Sequence, residues 1–158
     1  MSVFEGSPSA SGKKFLVAAA RFNRWITDRL ARGARKELIR LGGKESDIDT
    51  VWVPGSYELP AAARAGAVTG RYAAIVCVGA VIKGETSHDE HIASACASGI
   101  QAVMAETGVP VGFGVITAPT FDLASARARL DGGRNMGADA ARAAVETASV
   151  LEKIKKGK

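Results

Sequence analysis

Residues 73–91 read AAIVCVGAVIKGETSHDEH, and this stretch decides the fold. Ala73 to Val78 is a short apolar run of the kind that forms a buried strand. The stretch ends where a helical pattern begins, running from about Asp89 to Thr107. A loop with glycines at Gly79 and Gly84 therefore joins a strand to a helix start. Helix starts leave backbone N–H groups free to hold an anion. His88 stands at that junction, and imidazole exchanges protons near neutral pH. An anion cradle beside a proton carrier points to acid–base chemistry on a phosphorylated or carboxylated substrate.

The same alternation extends both ways along the chain. Phe15 to Ala19 reads as a strand, followed by Ile26, Leu30, Ala34, Leu38 and Leu41 at helical spacing, with Gly42-Gly43 to end that helix. Ile48 to Val53 is a second strand, and a Pro54-Gly55 turn leads into a small-residue helix through Ala61 to Ala67. After the central strand and its helix (Ile92, Cys96, Ile100, Val103, Met104) comes a fourth strand, Val111 to Ile116. A short helical pattern near Asp122 to Arg129 and a long one from about Ala138 to Lys153 complete the chain. Serial strand–helix alternation predicts an α/β protein, a parallel four-stranded sheet covered by helices on both faces in a three-layer αβα sandwich. Neither a repeat nor an interdomain linker interrupts the pattern, so residues 1–158 are expected to form a single domain, with 1–13 as an N-terminal arm.

Composition sets the outer limits. A chain of 158 residues with 47% apolar residues can bury a core. It has no apolar run near the roughly 20 residues of a membrane span, and its N-terminus lacks the apolar core of a signal peptide. Cys77 and Cys96 lack CxxC or zinc spacing and read as buried, reduced thiols of a cytoplasmic protein. A net charge of +5 and a pI of about 9.5 suit anionic small molecules. No aromatic interleaving of the kind used on single-stranded nucleic acid accompanies that charge. The arginines of the first helix read as a solvated face, and Lys153 to Lys158 as a frayed basic end.

In open α/β sheets, ligands bind beyond the carboxyl ends of the strands. Here each strand runs into an unusual loop: Arg21-Phe22-Asn23, then Pro54-Gly55-Ser56-Tyr57-Glu58, then the opening motif, then Thr117-Ala118-Pro119-Thr120. Gly79 to Thr86 nearly matches the phosphate-binding pattern GxxxxGK[ST], but Glu85 replaces the lysine, which excludes a nucleoside triphosphatase. Gly84, Glu85 and Thr86 can still offer amides to a single phosphate, against the plainer reading of a helix cap by Thr86 or Ser87. His88 and His91 are three apart and lack a third ligand, so no metal is expected. Phe22, between Arg21 and Asn23, is placed to stack on a heterocycle at the sheet edge. Glu58 either complements the positive end of its helix or accepts hydrogen bonds from substrate hydroxyls.

Four ordered motifs, ARFN (20–23), VPGSYELP (53–60), GAVIKGETSHDEHIA (79–93) and VPVGFGVIT (109–117), resemble the 6,7-dimethyl-8-ribityllumazine synthase family over nearly the whole chain. The resemblance implies a flavodoxin-like fold. It also implies a transferase that condenses 5-amino-6-(D-ribitylamino)uracil with 3,4-dihydroxy-2-butanone 4-phosphate, without cofactor or metal. Phe22 would stack on the pyrimidine, Ser56, Tyr57 and Glu58 would hold its ribityl chain, and Ala80, Val81 and Ile82 would meet the ring through their backbone. The amides of Glu85 and Thr86, with Arg127, would hold the phosphate. His88 would shuttle protons, and Phe113 would close the site from a neighbouring subunit. A homopentamer is implied, in some members assembled into an icosahedral shell, with riboflavin synthase as a further partner. The competing readings are a non-catalytic flavin- or lumazine-binding or shell-forming homologue, which has no need of His88, and a receiver-type signalling domain, which needs acidic residues where Arg21-Phe22-Asn23 stand.

The turn from Arg127 to Gly137 departs from the family pattern, with Met136 in place of a lysine and a spacing about one residue off. Arg127 and Arg129 therefore compete for the phosphate role, with Arg127 preferred for its distance from the preceding strand, and Arg134 is a candidate to replace the lysine.

Overall fold

The computed structural model describes residues 1–157 and contains four strands, β1 (Phe15–Ala20), β2 (Ile48–Val53), β3 (Ala74–Ile82) and β4 (Val111–Ala118). They form one all-parallel sheet in the order β2-β1-β3-β4. Five helices alternate with them: α1 (Arg24–Arg40), α2 (Leu59–Ala67), α3 (His88–Thr107), α4 (Phe121–Ser125) and α5 (Met136–Lys156). The chain leaves β1 for β2 on one side and returns for β3 on the other, so the order of strands reverses beside β1. Crevices at such reversals are where α/β sheets place ligands.

Strand periodicity divides the core into two layers. Phe15, Val17 and Ala19 of β1 and Ala74, Val76 and Val78 of β3 pack under α1 and α5. Leu16, Ala18, Ile75 and Cys77 point to the opposite face, under Leu59 and Ala63 of α2 and Cys96, Ile100 and Val103 of α3. Both faces are buried, which is why β1 and β3 read as unbroken apolar runs rather than alternating ones. The sandwich is the predicted one. Cys77 and Cys96 are both buried free thiols, and burial raises the pKa of each, Cys96 to about 11.

Element limits differ from the sequence reading in informative places. The central strand does not stop at Val78 but continues to Ile82, so Gly79 lies inside β3 rather than opening a loop. Gly79 is small for a packing reason: a Cβ there would overlap Ser56 Oγ. The helical pattern near 122–129 ends at Ser125, and the chain then turns back as a small hairpin. The basic tail is not frayed where it is described: α5 runs to Lys156, while Lys158 lies outside the described residues.

Helices α1 and α5 cross closely. Gly137 faces the Leu30 carbonyl, and a Cβ on it would overlap that oxygen. Glu37, almost buried on α1, bridges Arg40 and Arg142 at 2.7 and 2.9 Å, and its hydrogen bond from Arg40 holds its pKa below the ordinary value. Gly137→Ala is expected to cost about 3 kcal/mol, the upper range for overpacking against backbone that cannot yield. Gly84→Ala, where a Cβ meets open space, is expected to leave stability unchanged. The urea midpoints of the two variants test this; equal midpoints would mean that α1 and α5 are not in this contact.

Before β1 the chain has no regular secondary structure, yet it is held. Ala10 is fully buried and donates its N–H to Leu41 O at 2.9 Å. Ser7 N–H bonds Ser149 Oγ at 3.0 Å, and Lys13 pairs with Glu152 at 3.0 Å. Among the described residues, no helix is long and apolar enough to cross a membrane.

Candidate active site

A cavity of about 530 Å³ opens beyond the carboxyl ends of β1, β2 and β3. Its walls come from three loops. The turn after β1 contributes Phe22, 72% exposed, a level that a core aromatic never reaches. The segment after β2 contributes Pro54 to Glu58, and the end of β3 with the start of α3 contributes Ala80, Val81, Ile82, Gly84, Thr86, His88, Asp89 and Ile92.

Local chemistry explains each wall. Arg21 N–H bonds Val53 O at 2.8 Å and Phe22 N–H bonds Pro54 O at 3.0 Å, so the first loop is laced to the second. Ser56 to Glu58 forms a single 3-10 turn before α2, with Ser56 buried and Tyr57 exposed. Glu58 settles part of its double reading: its Oε2 accepts the Gly55 N–H at 2.9 Å, a reciprocal cap on the turn, while the residue also lines the cavity. At β3, pairing with β1 ends at Ala19↔Val78, but pairing with β4 continues to Ile82↔Ala118. The β1-facing edge of β3 beyond Val78 thus has no backbone strand beside it, and Ala80 to Ile82 form the floor of the cavity.

The loop before α3 carries the candidate anion cradle. Ser87, the residue before α3, makes no side-chain cap bond, while Thr86 Oγ1 accepts His88 N–H at 3.3 Å in a local turn two residues long. Gly84 N–H faces Asp89 Oδ1 at 3.5 Å. Among the described residues, the amides of Glu85, Thr86 and Ser87 have no protein acceptor. His88 begins α3 with its side chain exposed to the cavity, whereas His91 is exposed outside it. No group of three or more His, Cys, Asp and Glu among the described residues is placed to hold a metal ion.

Three predicted site residues are not part of this cavity within one chain. Glu85 lies on the loop but does not line it, Phe113 sits in the middle of β4 opposite Cys77, and Arg127 follows α4. Around Arg127 the competition between arginines is uneven. Arg129 makes two 2.9 Å bonds to Asp131, and that hydrogen bonding, with the Gly133 N–H, holds the Asp131 carboxyl down to about 2. Among the described residues, the Arg127 guanidinium bonds only the Leu123 carbonyl, at 2.9 Å. Arg134 lies 3.6 Å from Asp139, and Met136 packs against the core beneath α1 and α5.

Sequence reading singled out neither Asp89 nor Ile92 as a site residue. Ile92 had a signal, since it follows His88 by four positions and shares its helix face.

The fold and this cavity define an α/β protein that receives a small molecule at the reversal point of a parallel sheet. A family model described as 6,7-dimethyl-8-ribityllumazine synthase matches residues 12–152. The chain belongs to this family, a family of transferases, and its role is that of a lumazine synthase in riboflavin biosynthesis.

Proposed function

We propose that the protein condenses 5-amino-6-(D-ribitylamino)uracil with 3,4-dihydroxy-2-butanone 4-phosphate to give 6,7-dimethyl-8-ribityllumazine, phosphate and water. What supports this reading is that one cavity gathers an exposed aromatic ring, an open strand edge, a polar turn and a histidine beside free amides. Phe22 stacks on the pyrimidine and the edge from Ala80 to Ile82 pairs with its amide groups. Ser56, Tyr57 and Glu58 hold the ribityl hydroxyls, with the second carboxylate oxygen of Glu58 available beside its capping bond. The amides of Glu85 and Thr86 receive the phosphate, and Arg127 completes its charge balance.

In this scheme the pyrimidine's amine attacks the ketone, and loss of water gives an imine. A proton leaves the neighbouring carbon as phosphate departs, and ring closure expels water again. His88 gives and takes these protons, and much of the acceleration comes from holding two substrates in register. The subunits form a cytoplasmic homopentamer in which Phe113 reaches a neighbour's cavity. The altered turn from 127 to 137 bears on whether pentamers close into a shell. Residues 1–158 act as one domain, with 1–13 as its arm.

Incubation with both substrates tests the reading: appearance of the fluorescent lumazine supports it. A protein that binds lumazine but forms none would be a non-catalytic homologue. Inorganic phosphate is expected to compete with the four-carbon substrate, and Arg127→Ser to weaken that competition about tenfold, the loss typical of a charge-assisted hydrogen bond. Arg129→Ser is expected to leave it unchanged, because Arg129 is already committed to Asp131. Loss of phosphate inhibition only in the Arg129 variant would transfer the role by two positions.

A further inference from the structure

Asn23 is the only non-glycine residue among the described ones with a positive φ, at φ 58° and ψ 44°. Left-handed backbone is tolerated by asparagine better than by most residues, but it still costs free energy and concentrates at functional sites. Asn23 precedes the first residue of α1, where an asparagine side chain normally caps its own helix. It makes no such cap. Its Nδ2 instead donates to Ala80 O at 2.8 Å, across 57 positions of sequence.

The place of that bond matters. It falls just beyond Ala19↔Val78, the last rung between β1 and β3. The side-chain amide thus supplies one more rung after the backbone of β1 has turned away. On the other side of the same turn, Phe22 N–H is tied to Pro54 O at 3.0 Å. Three adjacent residues therefore join all three walls of the cavity. Asn23 itself does not line the cavity, but its chain neighbour Phe22 and its hydrogen-bond partner Ala80 both do.

We infer that Asn23 is a positioning residue: its left-handed backbone and its bond to Ala80 set the gap between the Phe22 ring and the open edge of β3, and so set selectivity for a flat heterocycle. This inference rests on the proposed reading of the cavity as the pyrimidine site. A plain structural role would make Asn23 a stabiliser of the whole chain. A positioning role instead confines its effect to the substrate held between ring and edge.

Two substitutions separate these roles. Asn23→Asp keeps the shape and tolerates the left-handed backbone, but it cannot donate to Ala80 O when ionised. Asn23→Gly fits the backbone without strain but has no side chain to reach across. Both are expected to raise KM for the ribitylaminouracil about tenfold to a hundredfold, as when one partner of a shielded hydrogen bond is lost. KM for the butanone phosphate and the midpoint of thermal unfolding are expected to stay near the wild-type values. A wild-type pyrimidine KM in Asn23→Gly would overturn the inference. So would a parallel rise of both KM values with loss of stability. If the wild-type protein forms no lumazine, the proposed reaction fails on its own. Fluorescence titration of wild type and variants with lumazine then decides the positioning role: at least tenfold weaker binding in both variants upholds it, and anything less overturns it.

Discussion

His88→Ala is expected to slow lumazine formation by about 10²–10⁴, the usual cost of removing a positioned acid–base group. Pyrimidine binding is expected to change little. The separation follows from where the parts lie. His88 opens α3, next to the free amides of Glu85 and Thr86. The proposed ring and ribityl contacts belong to the loops after β1 and β2 and to the end of β3, and the two loops hydrogen-bond to each other without help from α3. Substrate alignment survives the substitution, so the variant should retain turnover well above the uncatalysed rate. Single-turnover kinetics with titrated pyrimidine measure both quantities at once. An unchanged rate would remove His88 from the chemistry. A rate restored by raising the pyrimidine concentration would make it a binding residue.

Asp89 stands at the proposed phosphate site. Its carboxylate faces Gly84 N–H at 3.5 Å, a marginal contact on the same loop as the proposed phosphate amides. It also lines the cavity beside His88. A carboxylate here opposes an incoming anion, while the free amides of Glu85, Thr86 and Ser87 favour it. The proposed guanidinium of Arg127 would tip that balance.

The sandwich was legible because its signals are local and repeated. Every strand is a short apolar run bounded by turn residues, and the long helices carry apolar residues at helical spacing. The limits of β3 were not legible. Gly79 reads as punctuation, but it is a glycine because Ser56, from another loop, packs onto it. Strand pairing through Ile82 depends on β4, which lies more than twenty-five residues onward. The end of α4 failed for a related reason: the chain after Ser125 is held as a hairpin by Arg129 N–H to Arg134 O and Met136 N–H to Arg127 O. Among cavity residues, Phe22, Ser56 to Glu58, Thr86 and His88 stood out because each lies on or at the end of a loop that follows a strand, whereas Ala80 to Ile82 came only from the family resemblance. The bond from Asn23 to Ala80 left no sequence signal, since an asparagine before a helix announces a cap.

Phe113 and His88 are expected to serve one site from two chains. Phe113 lies on the face of β4 shared by the buried Val111 and Val115, yet it is 43% exposed and does not line the cavity of its own chain. On β4, an edge strand, a half-exposed aromatic has its free surface directed away from its own fold. In a closed ring every interface repeats the same head-to-tail contact, so each cavity can take a residue from its neighbour. A ring made only of Phe113→Ser chains and a ring made only of His88→Ala chains should each be impaired. When the two are co-expressed in equal amounts and mix at random, a working site needs its cavity from a Phe113→Ser chain and its neighbour from a His88→Ala chain. That combination arises at about one site in four, so mixed rings should regain about a quarter of wild-type activity. Native mass spectrometry first establishes the pentameric mass and the mixing of subunits. Activity no higher than the mean of the two parents would mean that both residues act within one chain, or that Phe113 has no part in the site.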